Sequence, residues 1–396
     1  MKRVTAVVAA TALAVPVVVG AGTAGASSAS CAPASTLLSK KPSVTNLPAG
    51  AVMRAWDTGV TSDLMNAKRI VTVDVSHTVK LRGHVLRAGQ LTTTATPTQL
   101  AARNKAAIAV LNGGVFDLNG YHAPSGAAMA GGVLLKASSS AQPVLVTTKA
   151  GRTTLGTLQV SGTAKLPTSS MAMSGLNDSQ VNYTGVTVYT SAWGAMEVPR
   201  AQFYVTVTNG VVTSTSSSSY HSAPTASGVF LLAARNSSAT VLSRLRVGAK
   251  VAVSYKAVVG TAGAPGAALT AKDPAVDAVG YSSRPLHTGI DVALCNSRNE
   301  ELRPRTGVGI KANGDLFLMV STGRVGDDYY RVGGATVHQF AIYMHQRGAV
   351  DGIIFDGGNS TELLVRRYTS GSVYRVDRSM SQFQREMPNC FAIIPR

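Results

Sequence analysis

A chain of 396 residues, 45% of them hydrophobic, is long enough for one large core or two ordinary ones, and 3 cysteines are too few for a disulfide-built scaffold. Its 37 Lys+Arg against 19 Asp+Glu give a formal charge of +18, a field that favours anionic partners, although a high isoelectric point also keeps an exported protein soluble. Beyond the first 20 residues no stretch has the roughly 18 apolar residues that a membrane-spanning helix needs.

Lys2 and Arg3 precede an apolar run over residues 4–20, and Ala24-Gly25-Ala26 follows. This charged, apolar, cleavable order predicts a secretory signal over 1–26 and a mature chain starting near Ser27. Removing Lys2 and Arg3 leaves a charge of 18 − 2 = +16. Outside a cell the matching anionic partners are phosphate-bearing wall polymers, acidic glycans or lipid headgroups, and nucleic acid is not expected. Ser28-Ala29-Ser30 lacks the large aliphatic residue that opens a lipobox, which argues against lipidation of Cys31. Residues 27–50 are rich in Ser, Ala and Pro with no apolar period, so a disordered leader is expected, with the folded domain at 51–396. Export makes one disulfide feasible, and Cys295 with Cys390 is the expected pair because Cys31 falls in the leader.

Residues 70–81 (IVTVDVSHTVKL) alternate apolar and polar, the pattern of a half-buried strand. Thr96-Pro97-Thr98-Gln99 then opens a helix with a Thr cap, Pro in the first turn and Gln three residues on, running to about Asn104. Residues 106–111 (AAIAVL) suit a buried strand that ends in Asn112-Gly113-Gly114. From 147 to 259 the chain is strand-like, with a hairpin turning at Asn209-Gly210 and a serine-rich tip or loop over 213–220. Residues 305–320 read as a hairpin around Asn313-Gly314. Thr336 and Gln339 repeat the capped helix start, with Val337, Phe340, Ala341 and Met344 as its apolar face and Gly348 at its end. A second buried strand over 350–355 then runs into Asp356-Gly357-Gly358. The class is α+β: a mixed sheet core with a few packing helices, and a strand-rich subdomain over 151–270. The two helix starts share T-x-x-Q-(Leu/Phe)-Ala, and if their strands lie side by side and parallel, Asn112 and Asp356 emerge at one sheet edge, where α/β-type sheets hold ligands.

Asp356 leaves a buried strand into a turn whose two glycines allow close approach and free their amides to face an anion, with Ser360 and Thr361 adding hydroxyls. A bare Asx turn, in which Asp356 only caps its own backbone, fits the same residues. Asn112-Gly113-Gly114 with Asp117 invites either reading too. Arg305 and Arg324 flank the apolar hairpin and suit a phosphate, which Arg meets with paired donors. His77, His84, His122, His221, His287, His338 and His345 show no zinc spacing, and His338 and His345 sit just off the apolar stripe of their helix, as surface residues do. No G-x-S-x-G, P-loop or dinucleotide motif is present. No cofactor is expected; a divalent cation between Asp356 and Asp117 stays open.

Four motifs in order, N-G-G-V-F-D from Asn112, R-T-G-V-G-I-K-A-N-G-D-L from Arg305, D-G-G-N-S-T from Asp356 and Pro388-Asn389-Cys390-Phe391-Ala392-Ile393, resemble the phosphodiester glycosidase family. The resemblance covers about residues 52–395 and implies a hydrolase that frees a sugar from a phosphodiester. It implies site roles for Asn112, Gly113, Gly114, Asp117, Arg305, Asp356, Gly357, Gly358, Ser360, Thr361 and Asn389; Arg324, from its place beside the hairpin, and Asn359, from its place in the turn, are added as expected substrate contacts. A phosphodiester leaves readily, so the reaction needs little general acid and more cationic stabilisation, here from Arg305. A carboxylate serves the oxocarbenium-like transition state, Asp356 first and Asp117 second. The sequence departs from the family pattern where Asn359 replaces a glycine, Thr322 an acidic residue and Tyr281, after Gly280, the second glycine of a pair, which bears on sugar choice. The resulting expectation is a secreted hydrolase of a phosphate-linked wall glycan, with an ordinary glycosidase or a non-catalytic, basic wall-polymer binder on the same fold as alternatives.

Overall fold

Consecutive strand residues point to opposite faces of a sheet, yet Ile353 and Ile354 are both buried, as are Phe317 and Leu318. Such strands need cover on two sides, and the computed structural model supplies it. It describes residues 31, 33–34, 36–57, 69–219, 221–262, 269–296, 298–323, 333–377 and 383–396. The expected signal segment and Arg324 lie outside the described residues.

An eight-stranded antiparallel sheet runs in the order Ser43–Asn46, Val52–Asp57, Arg69–Val75, Leu316–Thr322, Arg305–Lys311, Ala349–Ile354, Ser283–His287, Ile290–Asp291. A five-stranded sheet orders Tyr374–Arg375, Leu363–Val365, Ala109–Asn112, Asn389–Pro395 and Leu81–Arg87. Val71, Val73, Val308, Leu318 and Ile353 of the first meet Leu81, Val85, Leu111, Leu363 and Phe391 of the second in one core. On the outer face of the larger sheet, Ile70, Phe317, Met319 and Ile354 pack against Phe340, Ala341 and Met344 of the helix Val337–Gln346. On the outer face of the smaller sheet, Leu86, Val110 and Ala392 pack against Leu100 and Ala101 of the helix Pro97–Arg103. The order of layers is therefore helix, sheet, sheet, helix. Glycine sets the spacing at one contact: a Cβ on Gly307 would lie 2.6 Å from Met344 Cε and 2.9 Å from Phe340 Cε1, so the helix seats only on a bare strand.

The middle of the chain builds an eleven-stranded sheet. Its strands lie between Ala128–Ala130 and Ala275–Gly280, so the segment 151–270 shares its sheet with residues on both sides. Strands account for 46% of residues and helix for 10%, so the mixed core of the α+β expectation is present but the balance is mostly β.

Several local expectations hold for the reasons given by their residues. Thr96 Oγ1 accepts the Gln99 amide at 3.2 Å while Gln99 Oε1 accepts the Thr96 amide at 2.9 Å. Thr336 and Gln339 form the same box, both bonds at 3.0 Å. Asn209 and Gly210 both have positive φ, 49° and 80°, which matches the right-handed twist of Phe203–Thr208 and Val211–Ser216. That second strand takes up 211–216, leaving the serine-rich tip shorter than expected.

Other expectations are corrected. Residues 70–81 do not form one strand: Arg69–Val75 and Leu81–Arg87 belong to different sheets, and the bend at Ser76-His77 is pinned by Asp315 Oδ1, which accepts from the His77 amide and pairs with its Nδ1. The described part of the leader is ordered, because Leu37 inserts beside Trp56 and Phe340, Lys40 O accepts from Trp56 Nε1, and Pro33 O accepts from Gln339 Nε2. The disulfide joins Cys31 to Cys295. Cys390 is a free thiol buried inside the five-stranded sheet, and burial together with the charge of Glu362 pushes its pKa well up. His345 is exposed as expected, but His338 is half-buried and paired with Asp291. Among the described residues no helix is long and apolar enough to cross a membrane.

Candidate active site

Asn112 ends a strand of the five-stranded sheet and Asp356 follows a strand of the eight-stranded one, so the shared parallel sheet edge expected for them does not exist. The two strand ends nevertheless converge where the sheets face each other. Asp356 N donates to Gly113 O at 3.2 Å, and Asn112 Nδ2 donates to Asp356 O at 2.8 Å. Asn112 Oδ1 accepts from Glu362 N at 3.1 Å. Asn112 is fully buried and its amide side chain is spent on this clamp, which corrects its expected role as a substrate contact.

The Asp356 carboxylate is half-buried. Its Oδ1 accepts the Gly357 amide at 3.0 Å, and its Oδ2 accepts the Ser360 hydroxyl at 2.5 Å. Arg385 Nη1 donates to Ser360 Oγ at 3.0 Å, so the serine relays a cation to the acid. Burial raises the Asp356 pKa, opposed by the Ser360 and Gly357 hydrogen bonds and by Arg385. The glycine amides do not present an open anion nest: Gly357 N is on Asp356 and Gly358 N donates to Pro304 O at 2.9 Å. What the glycines supply is clearance, since a Cβ on Gly357 would lie 2.8 Å from Pro304 O.

Asn389 and Thr361 complete the neighbourhood. A Cβ on Gly113 would collide with Asn389 Oδ1 and stand 2.6 Å from Asn389 O, so the bare residue makes room for that amide. Asn389 Oδ1 and Thr361 Oγ1 are buried and have no hydrogen-bond partner among the described residues, an arrangement that suits a ligand supplying the missing bonds. Gly114 lies against Gly280 O, and Ser282 Oγ donates to Ile354 O at 2.8 Å, which places the Gly280-Tyr281 departure beside this turn. Asn359 is half-buried on the 3-10 turn Gly358–Ser360.

Arg305 reaches the site through its backbone, next to Pro304 and Gly357. Its guanidinium donates from Nε to Ala335 O at 3.0 Å and from Nη2 to Glu301 O at 2.8 Å. Burial and then Arg303 lower its pKa to about 10, against Glu301, so it stays cationic at neutral pH. Asp117 is turned to its own loop, where Oδ2 accepts the Tyr121 amide at 3.0 Å, and none of its described bonds reaches Asp356 or Arg305. Among the described residues the one cluster of three potential metal-ligand side chains is Cys31, Cys295 and His338, in which the two sulfurs form the disulfide.

A buried acid cluster was not anticipated. Glu362 is 2% exposed, contacts Gln384 Nε2, and stands 3.8 Å from Arg375 Nε. Arg375 Nε also donates to Asp377 Oδ2 at 3.0 Å, so one guanidinium serves two buried carboxyls. Burial pushes Glu362 up to about 7, with Arg375 opposing and Asp377 adding to the rise. The available signal was an acid placed between the D-G-G-N-S-T turn and the apolar strand Leu363–Val365.

Comparison with known proteins bears on this geometry. Residues 200–394 match the phosphodiester glycosidase family. The matched segment contains Arg305, the Asp356 turn, Glu362, Arg385 and Asn389. The motif resemblance to phosphodiester glycosidases is thereby borne out. Among solved structures, a hypothetical protein from Synechocystis superposes with a TM-score of 0.69 at 20% identity, over 90% of this chain and 64% of that one. This chain thus spans less than two thirds of that protein's length. A putative exported protein from Burkholderia pseudomallei K96243 gives 0.61 at 18% identity, over 83% and 74%. Both share the fold. The catalytic domain of zebrafish N-acetylglucosamine-1-phosphodiester alpha-N-acetylglucosaminidase, auto-inhibited by its pro-peptide, gives 0.45 at 12% identity, over 90% and 88%. No curated protein matches the sequence.

Proposed function

We propose that this chain is an exported hydrolase that releases a sugar from a phosphate-linked glycan, with Asp356 as the carboxylate that meets the reacting sugar carbon. The observation that carries the reading is the Asp356 turn itself: a half-buried carboxylate held on both oxygens by Gly357 and Ser360, backed by Arg385, and edged by unpartnered Asn389 Oδ1 and Thr361 Oγ1. Fixed hydrogen bonds orient a carboxylate for attack on, or stabilisation of, an oxocarbenium-like centre. A phosphodiester leaves as a stable anion, so cations near its oxygens matter more than a general acid; Arg385 is the cation on the turn, whereas the Arg305 guanidinium is engaged by Ala335 O and Glu301 O and not by Asp356 or Ser360. The surplus of positive charge fits an anionic wall polymer as substrate, and the candidate secretory signal is consistent with a reaction outside the cell.

One observation favours a second reading, in which the bond is an ordinary glycosidic one. Glu362, held near pH 7 next to the same turn, has the proton affinity of a general acid, which an alcohol leaving group requires. A sugar-release assay separates the two. The purified chain is incubated with sugar 1-phosphodiesters and with the matching alkyl glycosides. Release from the phosphodiester alone supports the first reading, release from the alkyl glycoside alone supports the second, and no release with salt-sensitive polymer binding sinks both in favour of a wall-binding protein.

A further inference from the structure

On the strand-rich side of the molecule, a cavity of about 370 Å³ is lined by Tyr121, Ser179, Asn182, Tyr183, Arg200 and Arg235, among others. Its volume is at the lower end of the range for small-ligand sites, about 300–1,000 Å³. The wall is built rather than incidental. Arg235 donates to Arg200 O twice, from Nε at 3.1 Å and from Nη2 at 2.6 Å, which fixes the plane of its guanidinium. The guanidinium carbon lies 5.9 Å from the centroid of the Tyr183 ring. Tyr183 is 70% exposed, a large aromatic left in water at a cavity mouth. Tyr121 is anchored from behind by Trp193, with ring centroids 5.5 Å apart, and Trp193 is fully buried.

The polar atoms agree with this. The Ser179 hydroxyl is shielded from solvent and has no hydrogen-bond partner among the described residues, a deficit that a bound hydroxyl or anionic oxygen removes. No acidic residue lines the cavity. The acid adjoining it in sequence, Asp178, is engaged by Lys136 Nζ at 3.2 Å. The oriented guanidinium of Arg235, in a lining that holds no carboxylate among the described residues, selects an anion, and aromatic faces beside hydroxyl-satisfying groups select the mixed apolar and polar surface of a sugar ring.

We infer that this cavity is a second binding site, taking a sugar unit that carries a phosphate or carboxylate. It lies apart from the Asp356 turn in the fold but is tied to it by sequence: the loop leaving Gly113 reaches Tyr121 in eight residues, at most about 28 Å of extended chain. On the glycosidase reading, one anionic polymer of several sugars spans both sites. The binding itself does not depend on that reading.

The test is calorimetric titration of the full chain with glucose 6-phosphate, with a hexuronic acid disaccharide and with the neutral disaccharide of the same linkage. The expected result is binding of at least one anionic probe and none of the neutral one, weakened about tenfold or more in Arg235→Gln and in Tyr183→Ala, whose exposed ring carries no folding load. Asp356→Asn should bind as the parent does, so a failed catalytic reading leaves this result intact. Equal affinity for the neutral disaccharide, unchanged affinity in Tyr183→Ala and Arg235→Gln, or loss of binding in Asp356→Asn would each overturn the site. Binding of neither anionic probe would do the same, and a nucleotide that binds this cavity more tightly than either probe would replace the sugar assignment.

Discussion

The strands Ala109–Asn112 and Ala349–Ile354 each follow a Thr-capped helix and each lead into a polar residue and two glycines, but the two polar residues end in opposite conditions. Asn112 is fully buried, with its side chain stapled to the backbone of Asp356 and Glu362. Asp356 is half-buried, has its carboxylate held by Gly357 N and Ser360 Oγ, and has its pKa raised by burial. The same local pattern thus serves as a clamp in one place and as a chemical group in the other. An amide can satisfy a donor and an acceptor together, which suits a clamp; a carboxylate only accepts when ionised, which suits a group that must meet a developing positive charge.

The comparison can be broken by substitution. Asn112→Ala leaves Asp356 O and Glu362 N unsatisfied in the interior, so unfolding by urea should become easier by about 4 kcal/mol. A change below about 1 kcal/mol would mean that the clamp is not structural. Next in size is the acid that Asn112 holds by its backbone. Glu362 keeps its proton up to about 7 in the fold, whereas the unfolded chain loses it near 4.5. The folded state therefore binds more protons between those values, and its stability falls as pH rises through that window, by on the order of 3 kcal/mol. Glu362→Gln should flatten that fall, and parallel stability–pH curves for parent and variant would contradict it. The smallest effect sharpens the likeness of the two units. Thr336→Ala should cost about 1 kcal/mol of thermal stability and Thr96→Ala no more, because the Thr336 box is buried while Gln99 is exposed. A larger loss at Thr96 would show that the helix Pro97–Arg103 relies on its cap rather than on packing.

What was legible in the sequence is what depends on neighbours in the chain. Both capping boxes, the Asn209-Gly210 and Asn313-Gly314 hairpins, and the strand that delivers Asp356 follow from residues a few positions apart. Pairings at long range were not legible. Ala109–Asn112 and Ala349–Ile354 read alike because both are buried on two faces, and burial alone does not say which sheet a strand joins. The leader looked disordered because its order comes from one inserted residue, Leu37, and from partners about 300 positions away such as Gln339. The disulfide has the same long-range origin, since Cys31 pairs with Cys295, 264 positions away. Within the site, Asp356, Ser360 and Asn389 were found by motif, whereas Arg385 and Arg375 join through space and carry no local signature. The amides of Gly357 and Gly358 are not legible from sequence, because a glycine-rich turn is as able to donate to its own carboxylate and to a carbonyl of a neighbouring segment as to face an anion.

The most direct test of the Asp356 turn as a reaction centre is to measure binding and turnover of a sugar 1-phosphodiester by the parent and by Asp356→Asn, which keeps the size of the side chain and its acceptor oxygen. The expected result is a Kd within a few-fold of the parent, an unchanged Tm, and sugar release slower by on the order of 10³-fold, about 4 kcal/mol of transition-state stabilisation. Release at the parental rate from a folded Asp356→Asn would contradict it.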